Sequence, residues 1–180
     1  MSEIIQLHDK RFKPLISRRQ IHEAVIRLGK QISTDYNEKN LVFVIVLKGS
    51  ILFAADLIRE VTVPSRMEFL KAESYGHGMT SSGNVQLSLT TGMDIEDKDV
   101  ILVEDIIDTG LTLQEVMKYL STYKPASVAI ATLLLKPEIC QGTVTAQYVG
   151  FEISPLFVVG YGLDYNELGR NLPDVYVLTE

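Results

Sequence analysis

Apolar residues cluster in this chain in unbroken runs rather than in alternation. Leu41 to Leu47 contains no polar residue, Val100 to Val103 is wholly aliphatic, and Ser127 to Leu135 is apolar except for its serine and one threonine. Runs of this kind predict central strands of a parallel sheet covered on both faces. Helical spacing surrounds them. Ile21, Val25, Ile26, Leu28 and Ile32 form a stripe that opens near Ser17 and ends near Tyr36-Asn37. Lys48-Gly49-Ser50 leads into a second stripe at Leu52, Phe53, Ala55, Leu57 and Ile58, and Leu113, Val116, Met117 and Leu120 mark a third. Met67 to Tyr75 and Val85 to Thr91 predict two antiparallel strands. Tyr148 to Ile153, Leu156 to Val159 and Val175 to Leu178 predict shorter ones, grouped as a separate subdomain. Residues 1–16 show a mixed pattern and predict irregular chain. The strand–helix alternation from 41 to 135 argues an α/β core.

Between two of these strands, Gly76 to Asn84 has glycines, hydroxyls and no apolar period. It reads either as a long hairpin loop or as a lid over a reacting site; its length favours the lid.

The chemistry concentrates in Val100 to Leu113. Glu104 and Asp105 stand where the aliphatic strand is expected to emerge, and Asp108, Thr109 and Gly110 precede a helix. Ligands of open α/β sheets collect at such strand ends. The amides and positive dipole end of a helix start suit a phosphate, with Thr109, Gly110 and Thr112 as the cradle. Carboxylates beside it would repel that phosphate unless they bind hydroxyls, a metal ion or a proton. A phosphorylated sugar satisfies both demands. Solvating loop acids or a receiver-type phosphoacceptor would also put carboxylates at a strand end, but not this ordered set of three acids followed by Thr-Gly-x-Thr.

At 180 residues the chain suits one domain, and its net charge of −6 argues against nucleic acid as the main partner. A single cysteine, Cys140, excludes an internal disulfide, and His8, His22 and His77 lack ligand spacing. No signal-peptide core or bilayer-length apolar stretch is present, so no membrane partner is expected and a reducing cytoplasm is the natural compartment. The G-x-x-x-x-G-K-[ST] loop is absent, and Gly160-Tyr161-Gly162 has Tyr165 where a dinucleotide fingerprint needs glycine.

Val103 to Thr112 resembles the phosphoribosyl-diphosphate signature of type I phosphoribosyltransferases, and its Glu-Asp-Ile-Ile-Asp-Thr-Gly form resembles the 6-oxopurine branch of that family. Further matches cover nearly the whole chain. Leu47-Lys48-Gly49 resembles the pyrophosphate-side loop, and Ser74-Tyr75 with the Thr-Ser-Ser-Gly segment resembles the flexible catalytic loop. Lys136 matches a purine-contacting lysine. Val149 to Glu152 and Phe157 to Tyr165 match a C-terminal purine pocket.

The resemblance implies a parallel sheet flanked by helices in a single domain, with a core over about 17–135 and a small hood from 1–16 plus 136–180. It implies transfer of phosphoribosyl from phosphoribosyl diphosphate to hypoxanthine or guanine, with Mg2+ as cofactor and a homodimer or homotetramer as the assembly. Glu104 and Asp105 are implied at the ribose hydroxyls and metal, with Asp164 at a second metal. Asp108 is implied as general base on purine N7, and Asp108, Thr109, Gly110, Leu111 and Thr112 as the 5′-phosphate loop. Lys48, Gly49 and Arg170 are implied at pyrophosphate, where the family's Leu47–Lys48 peptide can be cis. Ile106, Lys136, Phe157, Val158 and Leu163 are implied around the base. On residue type alone, Lys136 also reads as a strand-end lysine reaching for water and Phe157 as plain core. Leu111 replaces a lysine found in some members, and Ser154-Pro155-Leu156 replaces a more polar segment.

Two rivals share the signature: a transferase for pyrimidines or adenine, and a regulator that senses the sugar diphosphate, some of which bind RNA. Lys136 and the Phe157 segment argue against the first, Asp108 and the acidic charge against the second.

Overall fold

The computed structural model describes residues 4–74, 85–89 and 93–179. Tyr75 and the Gly76 to Asn84 excursion, with its loop-or-lid reading, lie outside the described residues. In chain order the elements are β1 (Ile5–Leu7), β2 (Lys10–Ile16), α1 (Arg18–Asp35), β3 (Leu41–Leu47), α2 (Ile51–Glu60), β4 (Ser65–Ser74) and β5 (Val85–Leu89). Then follow β6 (Asp99–Ile107), α3 (Leu111–Ser121), β7 (Ser127–Leu135), α4 (Pro137–Cys140), β8 (Tyr148–Glu152), β9 (Val158–Val159) and β10 (Val175–Leu178).

A six-stranded sheet has the order β5-β4-β3-β6-β7-β8, parallel except for β5, which runs antiparallel to β4. The unbroken apolar run of β3 has a direct cause. Leu41, Phe43 and Ile45 pack with Ile21, Val25, Leu28, Phe53 and Leu57 of α1 and α2. Val42, Val44 and Val46 pack with Leu113, Val116 and Leu120 of α3. Both faces are therefore covered, and neither set of alternating side chains can be polar. Ser17 starts α1 through a reciprocal capping box with Gln20, which satisfies amides left free at the helix start. Gly29 lets α1 approach α2 closely, since a Cβ there would lie 2.5 Å from that of Glu60.

Three features depart from the sequence pattern. The strand beginning at Asp99 does not stop at Val103: it pairs with β7 through Glu104–Thr132, Ile106–Leu134 and Ile107–Leu135. The carboxylates thus sit inside the last turns of the strand pairing rather than beyond it. Residues 5–16, expected to be irregular, form β1 and β2, which join β10 and β9 in a second antiparallel sheet ordered β1-β2-β10-β9. Phe12 and Ile16 point inward on alternate positions, and Pro14 falls where the register between β2 and β10 shifts, a site that tolerates a missing N–H.

Tyr148–Glu152, grouped by sequence with the small C-terminal strands, instead pairs in parallel with β7 and edges the main sheet. Gly150 permits this pairing, because a Cβ there would lie 2.5 Å from the Leu133 carbonyl oxygen. Among the described residues no helix is long and apolar enough to cross a membrane.

Candidate active site

The carboxyl ends of β3, β6 and β7 bring the acidic stretch beside two loops. Glu104 and Asp105 are both largely enclosed. Burial, with the Asp105 charge next to it, raises the Glu104 carboxyl well above the usual range. Its Oε2 is buried without a hydrogen-bond partner. Burial also pushes Asp105 up to about 6, partly offset by backbone N–H groups and the Arg170 guanidinium, while Asp164 adds to the rise. Asp105 Oδ1 accepts from the Ile106 N–H at 2.8 Å. Two adjacent enclosed carboxyls, only partly offset by Arg170, are an electrostatic cost that a metal, a proton or sugar hydroxyls would relieve.

Gly49 lies against Asp105, following a cis Leu47–Lys48 peptide. A Cβ on Gly49 would stand 1.7 Å from Asp105 Oδ2. On its other side comes Gly162, at φ +103, whose own added Cβ would stand 1.9 Å from the Gly49 carbonyl oxygen. Arg170 closes the group. Its Nη1 donates to Gly162 O at 2.9 Å, and its Nη2 lies 2.7 Å from Asp164 Oδ1. Lys48 Nζ is 3.3 Å from the Glu167 carboxylate. Lys48, Gly49, Asp105, Asp164 and Arg170 thus converge from three distant parts of the chain.

The second cluster is polar in the opposite sense. Lys136 N–H donates to Ile107 O at 2.9 Å, so the ends of β6 and β7 stay in step. That register sets Lys136 Nζ 3.1 Å from Asp108 Oδ2. Lys136 is buried while Asp108 is half exposed. The strand-end lysine therefore does not reach for water; it turns back onto the acid.

Gly110, at φ +79, starts α3, whose first turn has no capping side chain. Its Leu111 N–H makes only a long 3.4 Å contact with Thr109 Oγ1. Thr109, Gly110, Leu111 and Thr112 consequently present a helix start of the kind that binds anions, one residue beyond Asp108.

The residues expected around the base divide. Ile106 packs beside buried Val158 and Leu163 against the core shared with α1 and α2. Phe157 is partly exposed, with its ring 6.3 Å from Phe12 and 5.9 Å edge-on from Tyr165. It belongs to the small sheet's aromatic cluster. Ser74 ends β4, and its neighbour Tyr75 lies outside the described residues.

Residues 17–166 match the family described as "Phosphoribosyl transferase domain". The chain belongs to this phosphoribosyltransferase family. It is 46% identical over 161 residues to the hypoxanthine phosphoribosyltransferase of Haemophilus influenzae, covering 88% of this chain and 90% of that one. It is 42% identical over 176 residues to the hypoxanthine-guanine phosphoribosyltransferase of Aquifex aeolicus, covering 97% and 99%. A crystal structure of a hypoxanthine-guanine phosphoribosyltransferase from Bacillus anthracis superposes with a TM-score of 0.87 at 41% identity, covering 98% of this chain and 100% of the other. The type I phosphoribosyltransferase fold follows from these likenesses and from the five parallel strands described above.

Within this phosphoribosyltransferase, sequence reasoning missed two residues of the loop cluster. Glu167 bridges toward two cations, yet nothing in Tyr165-Asn166-Glu167 sets it apart from any surface glutamate. Gly162 was legible as half of a failed dinucleotide fingerprint and as a member of the Phe157 to Tyr165 match, but its contact with Gly49 depends on a turn that brings distant segments together. A separate cavity of about 690 Å³, lined by Ser33, Asn40, Arg66 and Lys98 among others, lies at the amino ends of the parallel strands, away from all of these groups.

Proposed function

We propose that this chain is a purine-salvage enzyme that transfers the 5-phosphoribosyl group from phosphoribosyl diphosphate to hypoxanthine and guanine, releasing pyrophosphate. The observation that carries this reading is the 3.1 Å pair of Lys136 Nζ and Asp108 Oδ2. A donor and an acceptor side by side match the edge of a 6-oxopurine, where an acceptor (O6) lies next to a donor (N7–H). The arriving base exchanges one ion pair for two charge-assisted hydrogen bonds. Adenine presents an amino group where O6 would be, leaving the buried lysine unpaired. The relatives named above support the same substrate class.

In this reading Asp108 is the general base. N9 forms a bond to C1 of the ribose, the C1–oxygen bond to pyrophosphate breaks, and the N7 proton passes to the Asp108 carboxylate. Glu104 and Asp105 hold the ribose hydroxyls and stabilise the positive charge that develops on the sugar. The amides of Thr109, Gly110, Leu111 and Thr112 hold the 5′-phosphate. Ile106 and Phe157 contact the base, with Val158 and Leu163 backbone groups at its edge, and Lys48, Gly49 and Arg170 receive pyrophosphate.

The partnerless Glu104 Oε2 and the raised Asp105 fit a cation that is held through one or two carboxylates plus phosphates. Glu104 and Asp105, with Asp164, would hold Mg2+, whose charge neutralises the leaving pyrophosphate.

The test is a spectrophotometric assay with phosphoribosyl diphosphate and Mg2+, offering hypoxanthine, guanine, xanthine, adenine and uracil in parallel. Turnover confined to 6-oxopurines is expected. Turnover of adenine or uracil would overturn the base pocket. Silence on all five, with phosphoribosyl diphosphate still bound, would make the protein a sensor rather than an enzyme.

A further inference from the structure

Lys48 and Arg170 arrive at the loop cluster from opposite ends of the chain, and they are not held in the same way. Arg170 is anchored by Asp164 at 2.7 Å and by the Gly162 carbonyl at 2.9 Å. Lys48 is more exposed, and its ammonium lies 3.3 Å from both carboxylate oxygens of Glu167. The same carboxylate reaches toward the arginine, with Glu167 Oε2 4.0 Å from Arg170 Nη2. The backbone of Glu167 is fixed, since its N–H donates to Asp164 Oδ2 at 2.8 Å and its φ is +66. Its side chain is not fixed, being 71% exposed. One carboxylate therefore sits between two cations, on a rigid turn, at the end of a side chain able to swing into water.

We propose that Glu167 is a placeholder for pyrophosphate. Its carboxylate occupies the anion position between Lys48 and Arg170 and leaves when the diphosphate end of the donor, or free pyrophosphate, takes that position. The inference rests on the assignment of Lys48 and Arg170 to pyrophosphate under the proposed function. A carboxylate and a diphosphate cannot share the position, because like charges at such separation repel. The exposed pair that is given up is weak, so its loss is a small barrier to binding. Its return after reaction helps the two cations release the product.

The sign of the effect distinguishes this role from ordinary positioning. If Glu167 competes with pyrophosphate, Glu167→Gln tightens pyrophosphate binding by up to roughly five-fold, the upper end of what an exposed ion pair supplies. Isothermal titration of the full chain with magnesium pyrophosphate measures this directly. The product-inhibition constant for pyrophosphate falls by the same factor while the KM for hypoxanthine stays put. Weaker pyrophosphate binding in the variant would show that Glu167 orients Lys48 for the ligand, and unchanged binding would make the pair a surface contact; either result overturns the placeholder. In both cases turnover of hypoxanthine by the parent protein leaves the assigned reaction standing. A parent protein that binds no pyrophosphate would overturn the placeholder and the assignment of Lys48 and Arg170 together.

Discussion

Gly49 and Asp105 stand so close that a methyl group on the glycine would lie 1.7 Å from the aspartate Oδ2. The glycine cannot retreat, because Gly162 presses on its carbonyl from the other side. In Gly49→Ala either the Asp105 carboxyl or the Lys48 loop must move by an ångström or more. Misplacement on that scale costs on the order of 10²-fold in rate. We expect kcat/KM to fall by about that factor with the fold retained, as followed by steady-state kinetics and circular dichroism. Activity within a few-fold of the parent would show that the loop can step aside.

Asp108→Asn keeps the shape of the side chain but removes its capacity to take a proton. We expect kcat to fall by roughly 10²- to 10⁴-fold. The dissociation constant for phosphoribosyl diphosphate, measured by calorimetry, stays within a few-fold of the parent. Parallel loss of binding and rate would instead assign Asp108 to holding the sugar diphosphate.

Lys136→Ala removes the donor proposed to face O6 and releases Asp108 from its ion pair. A hydrogen bond from a charged group is worth about 1.5–3 kcal/mol, so kcat/KM for hypoxanthine should drop by roughly ten- to a hundred-fold. The value for adenine should change less, narrowing the ratio between the two. An unchanged ratio would mean that discrimination resides elsewhere in the pocket.

The raised carboxyls predict a pH signature in the metal-free protein. Asp105 titrates at about 6 when folded, against an ordinary value of 3.8. Between those values the folded state holds a proton that the unfolded chain has released. Its contribution is therefore fully present below the ordinary value and is lost as pH rises through 6; the size is on the order of 3 kcal/mol. Glu104 acts in the same direction. The stability of the parent relative to Asp105→Asn, measured by urea unfolding in the presence of a chelator, should decline across that window. Stabilisation by Mg2+ with phosphoribosyl diphosphate should grow across it, because the ligand replaces the protons. A pH-independent difference would place the Asp105 carboxyl in water.

Much of the main sheet was legible because its strands announce themselves. Leu41–Leu47 and Ser127–Leu135 were bounded correctly from apolar runs and flanking polar residues alone, as was Val175–Leu178 of the small sheet. The same logic cut β6 short, since Glu104 and Asp105 look like the end of a buried strand when only pairing with β7 continues it. Pro14 concealed β2: a proline in a lysine-rich segment argues against a strand until a bulge in that same strand, at Leu15, accommodates it. At the site, adjacent residues from Glu104 to Thr112 were readable as one unit, as was Lys136 at a strand end. That Lys136 turns onto Asp108, and that Glu167 lies between Lys48 and Arg170, follow from register and from turns that no local pattern encodes.

The small sheet is stitched from both extremes of the chain: β2 pairs with β10, and Thr179 donates through its hydroxyl to Arg11 O, 168 residues away. Contacts so remote in sequence carry the largest loop-closure cost. During synthesis the main sheet can assemble while β2 still waits for its partner. The loop that carries Arg170 leads directly into β10, so the cluster of Lys48, Asp105, Asp164 and Arg170 is completed only once that loop has been made. The ligand-competent form would thus wait on the meeting of β2 and β10, and small changes in either strand would be felt as lost affinity before they were felt as lost fold.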